Sequence, residues 1–391
     1  KIWTDKGEGE KIKVIKAMTE TEEGKRIADS IVENKNRYNL RNNEIAILYR
    51  TNSQSRVFEE QLRRNNIAYR IYGGLSFYQR KEIKDLVAYM RLAVNDRDDE
   101  ALKRIINYPR RSIGKTTIEK ISKLADDNEM SMWQVLSKID FGPRAKKSIG
   151  EFVKLIKSFK QKAITQDAYE LATFIARKSG ISELLKSDTS PEGENRVENA
   201  NALLNAVKEF VDDDELIDGE EVQEKSMSVF LQSISLMTDA DKEEQNTDVV
   251  TLMSVHAAKG LEFRSVYVVG LEENLFPSFM SLSSPDQIDE ERRLFYVAIT
   301  RAEEFLTLSY ASSRYQYGNA RYNDPSRFLE ELGQTNIDSL MSITKEKPSF
   351  GTPKVLGNFK KLGPQKVPSL GIDPGDFKAS PASKIKAGMT V

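Results

Sequence analysis

Short apolar runs typical of strands alternate along the chain with segments of helical periodicity. Five short runs are almost continuously apolar, which is typical of strands in a parallel sheet with both faces covered. These runs are IKVIKAM (12–18), EIAILYR (44–50), DVVTLMSV (248–255), SVYVVG (265–270) and FLTLSYA (305–311). Between the first two lies TETEEGKRIADSIVENKNR, whose helical repeat starts at a Thr19 or Thr21 cap and carries acids in its first turn. Residues 1–72 and 248–335 are therefore interpreted as α/β.

The stretch 80–240 has a different pattern. Helical periodicity follows helical periodicity, with loops predicted at 107–114, 140–143 and 187–194 and almost no strand signal. An all-helical block between two α/β segments indicates an insertion, so the two flanks are expected to form one sheet. From about residue 343 six of the 12 prolines and nine lysines against three acids indicate a flexible basic linker.

The amino-acid composition excludes several kinds of structural and catalytic site. The 391 residues include 59 Lys+Arg, 60 Asp+Glu, one His and no Cys, for a net charge of −1. The absence of cysteine excludes a disulfide scaffold, a thiolate zinc site and a cysteine nucleophile, and one histidine disfavours a histidine-rich metal centre. No signal peptide or membrane-length apolar run is found, which favours a soluble intracellular protein without membrane contact. The acidic run 209–224 is interpreted as a solvated loop, helix edge or insertion tip.

The segment Ser112–Thr116 ends in Gly-Lys-Thr, the tail of a phosphate-binding P-loop. The first glycine of that motif would be five residues before Gly114, where Pro109 stands, and the preceding segment has a helical pattern rather than a strand. A helix-hairpin-helix is the better interpretation, with one helix ending at Ile106 and the next starting near Thr116. Such a turn directs backbone N–H groups at a DNA phosphate without reading bases. An ordinary helix connection remains the alternative for this segment.

Three further segments place polar groups next to strands. In VTLMSVHAAKGLEF (250–263) a buried strand is followed by His256, Lys259 and Glu262, and we expect these side chains at the carboxyl end of the sheet, where open α/β folds place their sites. ILYRTNSQSRVFEEQL (47–62) has a strand followed by Arg50 and Asn52. EERRLFYVAITRAEEFLTL (290–308) has the pattern of a helix and then a strand, with three arginines on the helix or at its end.

These segments together resemble superfamily 1 DNA helicases of the UvrD/PcrA type. VTLMSVHAAKGLEF is similar to motif V, EERRLFYVAITRAEE to motif VI, and ILYRTNSQSR to the motif between IV and V. IYGGLSFYQRKEIKDLVAYMRL is similar to the start of the family's inserted domain. The resemblance covers residues 1 to about 335. It implies a discontinuous RecA-like motor domain at 1–72 and 248–335, a helical accessory domain at 73–247, and a Pro/Gly-rich linker at 336–391.

The resemblance also implies a nucleotide site. The family members hydrolyse ATP with Mg²⁺ between two RecA-like domains and move 3′→5′ on single-stranded DNA. By position in the motifs, Arg301 corresponds to the catalytic arginine that reaches the γ-phosphate, Lys259 and Gly260 to the adjoining turn, and Glu262 to the acid that binds the ribose. No G-x-x-x-x-G-K-[ST] occurs in the chain, so ATP and Mg²⁺ are expected to bind mainly to a first motor domain that these residues do not contain.

The same carry-over implies DNA contacts. The expected single-strand contacts are Arg50, Asn52, Ser254, His256 and Tyr317, the last an aromatic in RYQYG. The expected duplex contacts are Arg110, Arg111, Gly114 and Thr117. Ser112 stands where the family usually has the first glycine of Gly-Ile-Gly, which puts part of the duplex contact in question. No metal ligand is expected among these residues.

Two functions from different classes follow. The first is the C-terminal half of an ATP-dependent DNA helicase acting in repair or replication, inactive alone, in the cytoplasm at the nucleoid. Its expected partners are DNA, the first motor domain, and repair proteins or RNA polymerase through the C-terminal region, whose SKIKAGMTV resembles the start of a Tudor-like module. The second is a non-catalytic nucleic-acid- or protein-binding module with a degenerate motor domain. Intact Arg301, Glu262, Lys259 and His256 favour the first.

Overall fold

The computed structural model describes residues 9–138, 143–212, 224–239, 247–316 and 318–338. The strands are β1 (Lys13–Ala17), β2 (Ile45–Tyr49), β3 (Tyr69–Ile71), β4 (Val250–Ser254), β5 (Phe263–Val268), β6 (Ala302–Ala311), β7 (Ser313–Gln316) and β8 (Asn319–Tyr322). The helices are α1 (Glu20–Tyr38), α2 (Ser55–Arg64), α3 (Lys81–Val94), α4 (Asp99–Ile105), α5 (Lys115–Asp127), α6 (Met132–Lys138), α7 (Pro143–Thr165), α8 (Ala168–Lys178), α9 (Ile181–Lys186), α10 (Pro191–Asp212), α11 (Met227–Asp239), α12 (Pro285–Ile299) and α13 (Arg327–Glu330).

Six strands form one parallel sheet in the order β1-β6-β5-β2-β4-β3. Strand β2 from the start of the chain lies between β4 and β5 from its second half, with Ala46 opposite Thr251 and Val266. The prediction that the two flanks build one α/β sheet is confirmed. Because the strands are parallel, the residues that follow β2 and β4 lie at one edge of the sheet, and those that precede β5 and β6 lie at the other.

Alternate residues of the strands feed two apolar cores, one on each face. In β2, Ala46 and Leu48 belong to one core, while Ile45 and Ile47 belong to the other. Burial on both faces explains why these strands have continuous apolar runs rather than a polar–apolar alternation. The short outer strand β3 and the hairpin β7–β8, whose second strand is exposed, were not predicted.

The helices α3 to α11 enclose a third core of their own, drawn from residues 77–234. This all-helical segment is the one that the sequence predicted as an insertion. Helix α10 starts at Pro191, inside the loop predicted at 187–194, because proline fits the first turn of a helix and Ser190 Oγ accepts a hydrogen bond from Gly193 N (3.1 Å). Among the described helices, none combines the length and the apolar character that a membrane span requires.

Candidate functional sites

Four predicted single-strand contacts lie at the carboxyl edge of the sheet. Tyr49 and Ser254 end the neighbouring strands β2 and β4 in direct register, so Arg50 follows one strand where Ser254 closes the other. Ser254 caps the short 3₁₀ helix Val255–Ala258, because its hydroxyl accepts a hydrogen bond from Ala257 N (3.4 Å). His256, on that helix, and Asn52, on the one after β2, are exposed. The structure thus brings Arg50, Asn52, Ser254 and His256 to one edge of the sheet.

Sequence reasoning missed the partner of Arg50. Its guanidinium donates to both carboxylate oxygens of Glu291 on α12, at 2.7 to 3.2 Å. Glu291 is buried and the Arg50 side chain is 20% exposed. This paired geometry fixes the direction of the guanidinium. Because 241 residues separate the two side chains, no local pattern in the sequence signals the contact.

The electrostatic surroundings of His256 follow from this pair. Partial desolvation and the positive charge of Arg50 lower the pKa of His256 below its usual range, against the opposing effect of Glu291 and Glu290. The imidazole is therefore neutral near pH 7, and it acts as a hydrogen-bonding group rather than as a cation.

The residues predicted for the nucleotide lie at the opposite edge. The connection from β4 to β5 takes only residues 255–262, and Glu262 directly precedes β5. The expectation that Glu262 shares the carboxyl edge with His256 was therefore wrong, and Lys259 lies on the connection between the two edges. Strands β4 and β5 both run parallel to β2, so β5 begins at the end of the sheet opposite to the one where β4 ends. The short connection between them therefore crosses from one edge to the other. Gly260 turns the chain with φ +85°, a left-handed conformation that favours glycine.

Arg301 lies at the same amino edge, immediately before β6. It donates to three uncharged oxygens, namely Leu261 O (3.0 Å), Val297 O (3.1 Å) and Thr300 Oγ1 (3.2 Å). Within the described residues no carboxylate pairs with it. The two arginines on the preceding helix α12 differ from Arg301, because both pair with carboxylates: Arg292 with Asp289 and Glu331, and Arg293 with Glu290.

The amino edge fits one side of a nucleotide site. Lys259 and Glu262 are exposed, and no hydrogen bond or ion pair of either is found in the described parts of the chain. Lys259 and Arg301 are cations suited to phosphate oxygens, and a carboxylate such as Glu262 accepts from ribose hydroxyls. Over the described ranges no cluster of three or more acidic or histidine side chains suited to a metal ion is found.

The 106–114 hairpin joins α4 to α5 and is braced from inside. Asn107 Oδ1 accepts from the backbone N of Arg111 (2.8 Å) and of Ile113 (3.2 Å), and Ile113 is buried. Ser112 has φ +60°, so this L-residue occupies the left-handed region where the family usually has glycine. The serine keeps the shape of the turn at some cost in backbone strain.

The structure contradicts the assignment of Arg111 as a duplex contact. Its guanidinium turns inward and donates to the carbonyls of Ile105 (3.1 Å), Pro109 (3.1 Å) and Ser179 (2.9 Å). It also stacks on two aromatic rings, at 5.7 Å from Tyr89 and 5.6 Å from Phe152. Arg111 therefore holds the hairpin together. Sequence alone did not distinguish it from its neighbour Arg110, which is exposed.

Gly114 caps α5 with φ −75°, a value that any residue adopts, and an added Cβ would meet nothing within 4 Å. Neither backbone strain nor internal packing thus requires glycine here. The helix starts with hydrogen bonds from Thr117 N (3.0 Å) and Ile118 N (3.2 Å) to Gly114 O. The amides of Lys115 and Thr116 precede them and point out of the N-terminus, as in any helix.

Two predictions meet the limits of the described residues. Tyr317 lies outside them. The acidic run is described only for its start, and there Glu209 is not solvated: it pairs with the buried Arg56 at 2.9 Å. The interpretation of Glu209 as part of a solvated edge was therefore wrong. Its partner Arg56 lies on α2, 153 positions away in the sequence, so the pair was not apparent from the local pattern.

Arg56 and Arg314 organise a buried network that no motif indicated. Arg314 pairs with Glu272 (2.6 Å), and Arg56 pairs with Glu60 (3.2 Å). The carboxylates around the two arginines are Glu20, Glu23, Glu60, Glu209 and Glu272. Five acids exceed two cations, so some of them favour the protonated form. Burial raises the pKa of Glu209 to about 8, against the attraction of Arg56 and with the repulsion of Glu20.

Comparison with known proteins identifies the family of the chain. A family model described as UvrD-like helicase C-terminal domain matches residues 1–313. The protein named ATP-dependent DNA helicase PcrA is 40% identical over 343 residues in Staphylococcus epidermidis and 39% identical over 343 residues in Staphylococcus aureus. Each alignment covers 86% of this chain and 46% of the relative, so the chain spans about half the length of these relatives. The chain belongs to the UvrD-like helicase C-terminal domain family.

Proposed function

We propose that this chain provides the second motor domain and the accessory domain of an ATP-dependent 3′→5′ DNA helicase. The motor domain comprises 1–72 and 248–335, the accessory domain 73–247, and residues 336–391 are a linker. The three separate apolar cores support this division, since two flank the sheet and one lies within the helices. The observation that carries the proposal is Arg301, held in place at the amino edge by uncharged oxygens while its neighbours Arg292 and Arg293 are neutralised.

The amino edge supplies one side of the ATP site. Arg301 offsets negative charge that develops on the transferred phosphoryl group, Lys259 stabilises the same phosphates, and Glu262 accepts hydrogen bonds from the ribose. Gly260 lets the backbone pass close to them. The P-loop lysine and the Mg²⁺ ligands come from a first motor domain that faces this edge. Bound Mg²⁺ would neutralise the β- and γ-oxygens.

The carboxyl edge supplies the single-strand track. Arg50, oriented by Glu291, donates to a phosphate, and Asn52, Ser254 and neutral His256 add hydrogen bonds along the backbone. Tyr317 is proposed as an aromatic beside the same track. The eight residues 255–262 join the carboxyl edge to the amino edge. A shift of Glu262 is therefore transmitted to His256 through one short, capped connection.

The accessory domain holds the duplex through the 106–114 hairpin and the start of α5. Arg110 contributes charge, and the N-terminal amides of α5 donate hydrogen bonds to a phosphate oxygen close to Gly114 and Thr117. The open space around Gly114 supports this role, since the position is free for the close approach of an outside group. Arg111 is omitted, because its donors are used within the hairpin.

The cellular setting extends the proposal. We place the complete protein in the cytoplasm at the nucleoid, in DNA repair or replication, with repair proteins and RNA polymerase as partners of the C-terminal region. The PcrA relatives are named as DNA helicases, which supports the DNA-directed role.

Unwinding polarity tests the function. In a helicase that joins this chain to a first motor domain, we expect ATP-dependent displacement of a labelled strand from a duplex with a 3′ single-stranded tail. The matched substrate carries the same tail at the 5′ end and should remain paired. Displacement without ATP, or equal displacement from both substrates, would contradict the proposal.

A further inference from the structure

The loop between β5 and α12 exposes two large apolar side chains at the carboxyl edge. Phe279 is 70% exposed and Met280 is 68% exposed, whereas Phe276, three residues earlier, is fully buried. Leaving a phenylalanine in water forgoes the free energy of its burial. An adjacent exposed pair of this kind points to something outside the chain that covers it.

The backbone of this loop is fixed by hydrogen bonds. Phe279 N donates to Asn274 O (3.2 Å), and Ser281 N donates to Ser278 O (3.0 Å). Glu291 anchors the loop from α12, because its carboxylate accepts from Ser278 N (3.2 Å) and from Ser281 Oγ (3.3 Å). The exposure of Phe279 is thus set by the local fold.

Glu291 links this loop to the proposed single-strand track. The same carboxylate that anchors Ser278 and Ser281 pairs with Arg50, and its charge acts on His256. Phe279 therefore belongs to a loop that one carboxylate joins to the groups proposed to hold the phosphate backbone. Residues 274–284 carry no charged side chain, so the loop does not repel phosphates.

We propose that Phe279 is a stacking platform for an unpaired base of the single strand whose backbone Arg50 and His256 hold, with Met280 extending the apolar surface. This inference rests on the proposed function and adds a base contact to it. An aromatic face stacks on any base, which suits a protein that moves along DNA regardless of sequence. An aromatic ring next to a phosphate-binding arginine is the arrangement that single-strand binding sites use.

The test compares two DNA probes with the 391-residue chain. One is a fluorescent oligothymidylate, and the other is an abasic oligonucleotide of the same length and charge. Phe279→Ala should weaken binding of oligothymidylate by about tenfold, in the range that base stacking supplies, and leave binding of the abasic strand unchanged. Phe279→Tyr should retain the parent affinity for both. Ile164→Ala is the matched control, since it removes an exposed apolar side chain on α7, outside the proposed surface.

Other outcomes overturn the inference. An equal loss for both probes would mean that Phe279 acts on the backbone or on folding, and thermal unfolding separates those two causes. Parent-like affinity of Phe279→Ala for both probes would mean that the exposed pair meets a different partner, such as a protein. A parent chain that binds neither probe would remove the proposed single-strand track as well, so failure of the function is distinguishable from failure of the stacking role.

Discussion

Two adjacent arginines of the 106–114 hairpin have opposite surroundings. Arg110 is exposed, whereas Arg111 donates to three carbonyls and stacks on two rings. An arginine used in this way stabilises a loop as a bridge between backbone segments, because each N–H of its fork meets a fixed acceptor. Equal charge in the sequence therefore corresponds to two different functions in the fold.

Alanine substitutions should separate the two arginines. Arg111→Ala removes three hydrogen bonds to carbonyls and the contacts with two aromatic rings, and should lower the Tm by several degrees, since a lost hydrogen bond of this kind costs about 1–3 kcal/mol. Arg110→Ala should leave the Tm near the parent value. It should weaken duplex binding and lower the slope of log Kd against log salt by about 0.9. Thermal unfolding and salt-titrated fluorescence anisotropy measure both, and reversed roles would contradict the assignment.

Whether the surroundings of a residue could be predicted depended on how close its partners lie in the sequence. The helix cap was predicted at Thr19 or Thr21, and the structure has it at Thr19, whose hydroxyl accepts from Glu22 N (3.2 Å). A cap requires only neighbours three residues away, which the sequence shows directly. The partners of Arg50 and Arg111 are set by the tertiary fold, so their surroundings could not be inferred from local pattern.

At the scale of elements, α10 is tied to α2 and to the start of α3 by buried polar contacts. Glu209 on α10 pairs with Arg56 on α2, and Asn199 Oδ1 accepts from Arg80 Nη1 (2.7 Å). Arg56 faces Glu20 and Glu60 in addition. Its single charge does not neutralise three carboxylates. This contact between α10 and α2 is therefore sensitive to protonation.

Glu209→Gln should make that sensitivity measurable. The folded-state pKa of Glu209 is raised to about 8 from 4.5, so its proton stabilises the folded protein at low pH, and this stability is lost as pH rises through about 8. Glutamine resembles the protonated form. We expect the Tm of the variant relative to the parent to rise by about 2–4 °C between pH 6 and pH 8.5, equivalent to roughly 1–2 kcal/mol.

The matched control is Glu183→Gln, which changes the same charge at an exposed position of α9. Its Tm difference from the parent should be the same at both pH values. A Glu209→Gln variant whose Tm difference does not change with pH, or that loses stability most at pH 8.5, would show that the carboxylate is ionised and favourably paired throughout.

Elements with continuous apolar runs were predicted, and weakly apolar ones were not. Strands β2, β4 and β5 are buried on both faces, so burial itself produces their signal. Strand β3 has three residues and is the outermost strand on one side of the sheet, and β8 is exposed throughout. Such strands are held by backbone pairing, which leaves little trace in side-chain pattern.

On the scale of the whole molecule, the two edges of one sheet have different chemistry. The amino edge carries Arg301 and Glu262, the carboxyl edge carries Arg50 and His256, and Lys259 lies on the connection between them. Sequence motifs identified these residues through the family resemblance. They did not indicate that the edges are opposite, because this follows from the strand order and the parallel direction of β4 and β5.

The chain alone should not hydrolyse ATP above background. Its 391 residues contain no P-loop lysine in a G-x-x-x-x-G-K-[ST] context, so the cradle for the β- and γ-phosphates is lacking from this sequence. A steady-state phosphate-release assay with single-stranded DNA measures this, with an intact PcrA helicase as the positive control. DNA-stimulated turnover that survives repurification and disappears in Arg301→Ala would contradict the half-site assignment.

The most direct test of the account is Arg301→Ala in a helicase that joins this chain to a first motor domain. An arginine that acts on the developing phosphoryl charge predicts a fall of about 10³ or more in kcat for DNA-stimulated ATP hydrolysis. The KM for ATP and the affinity for single-stranded DNA should stay within a few-fold of the parent, with an unchanged Tm to confirm that the loss of the Leu261 contact leaves the fold intact. Arg301→Lys should not restore the rate, because lysine lacks the planar fork. A kcat within tenfold of the parent, or an effect confined to KM, would contradict the central claim.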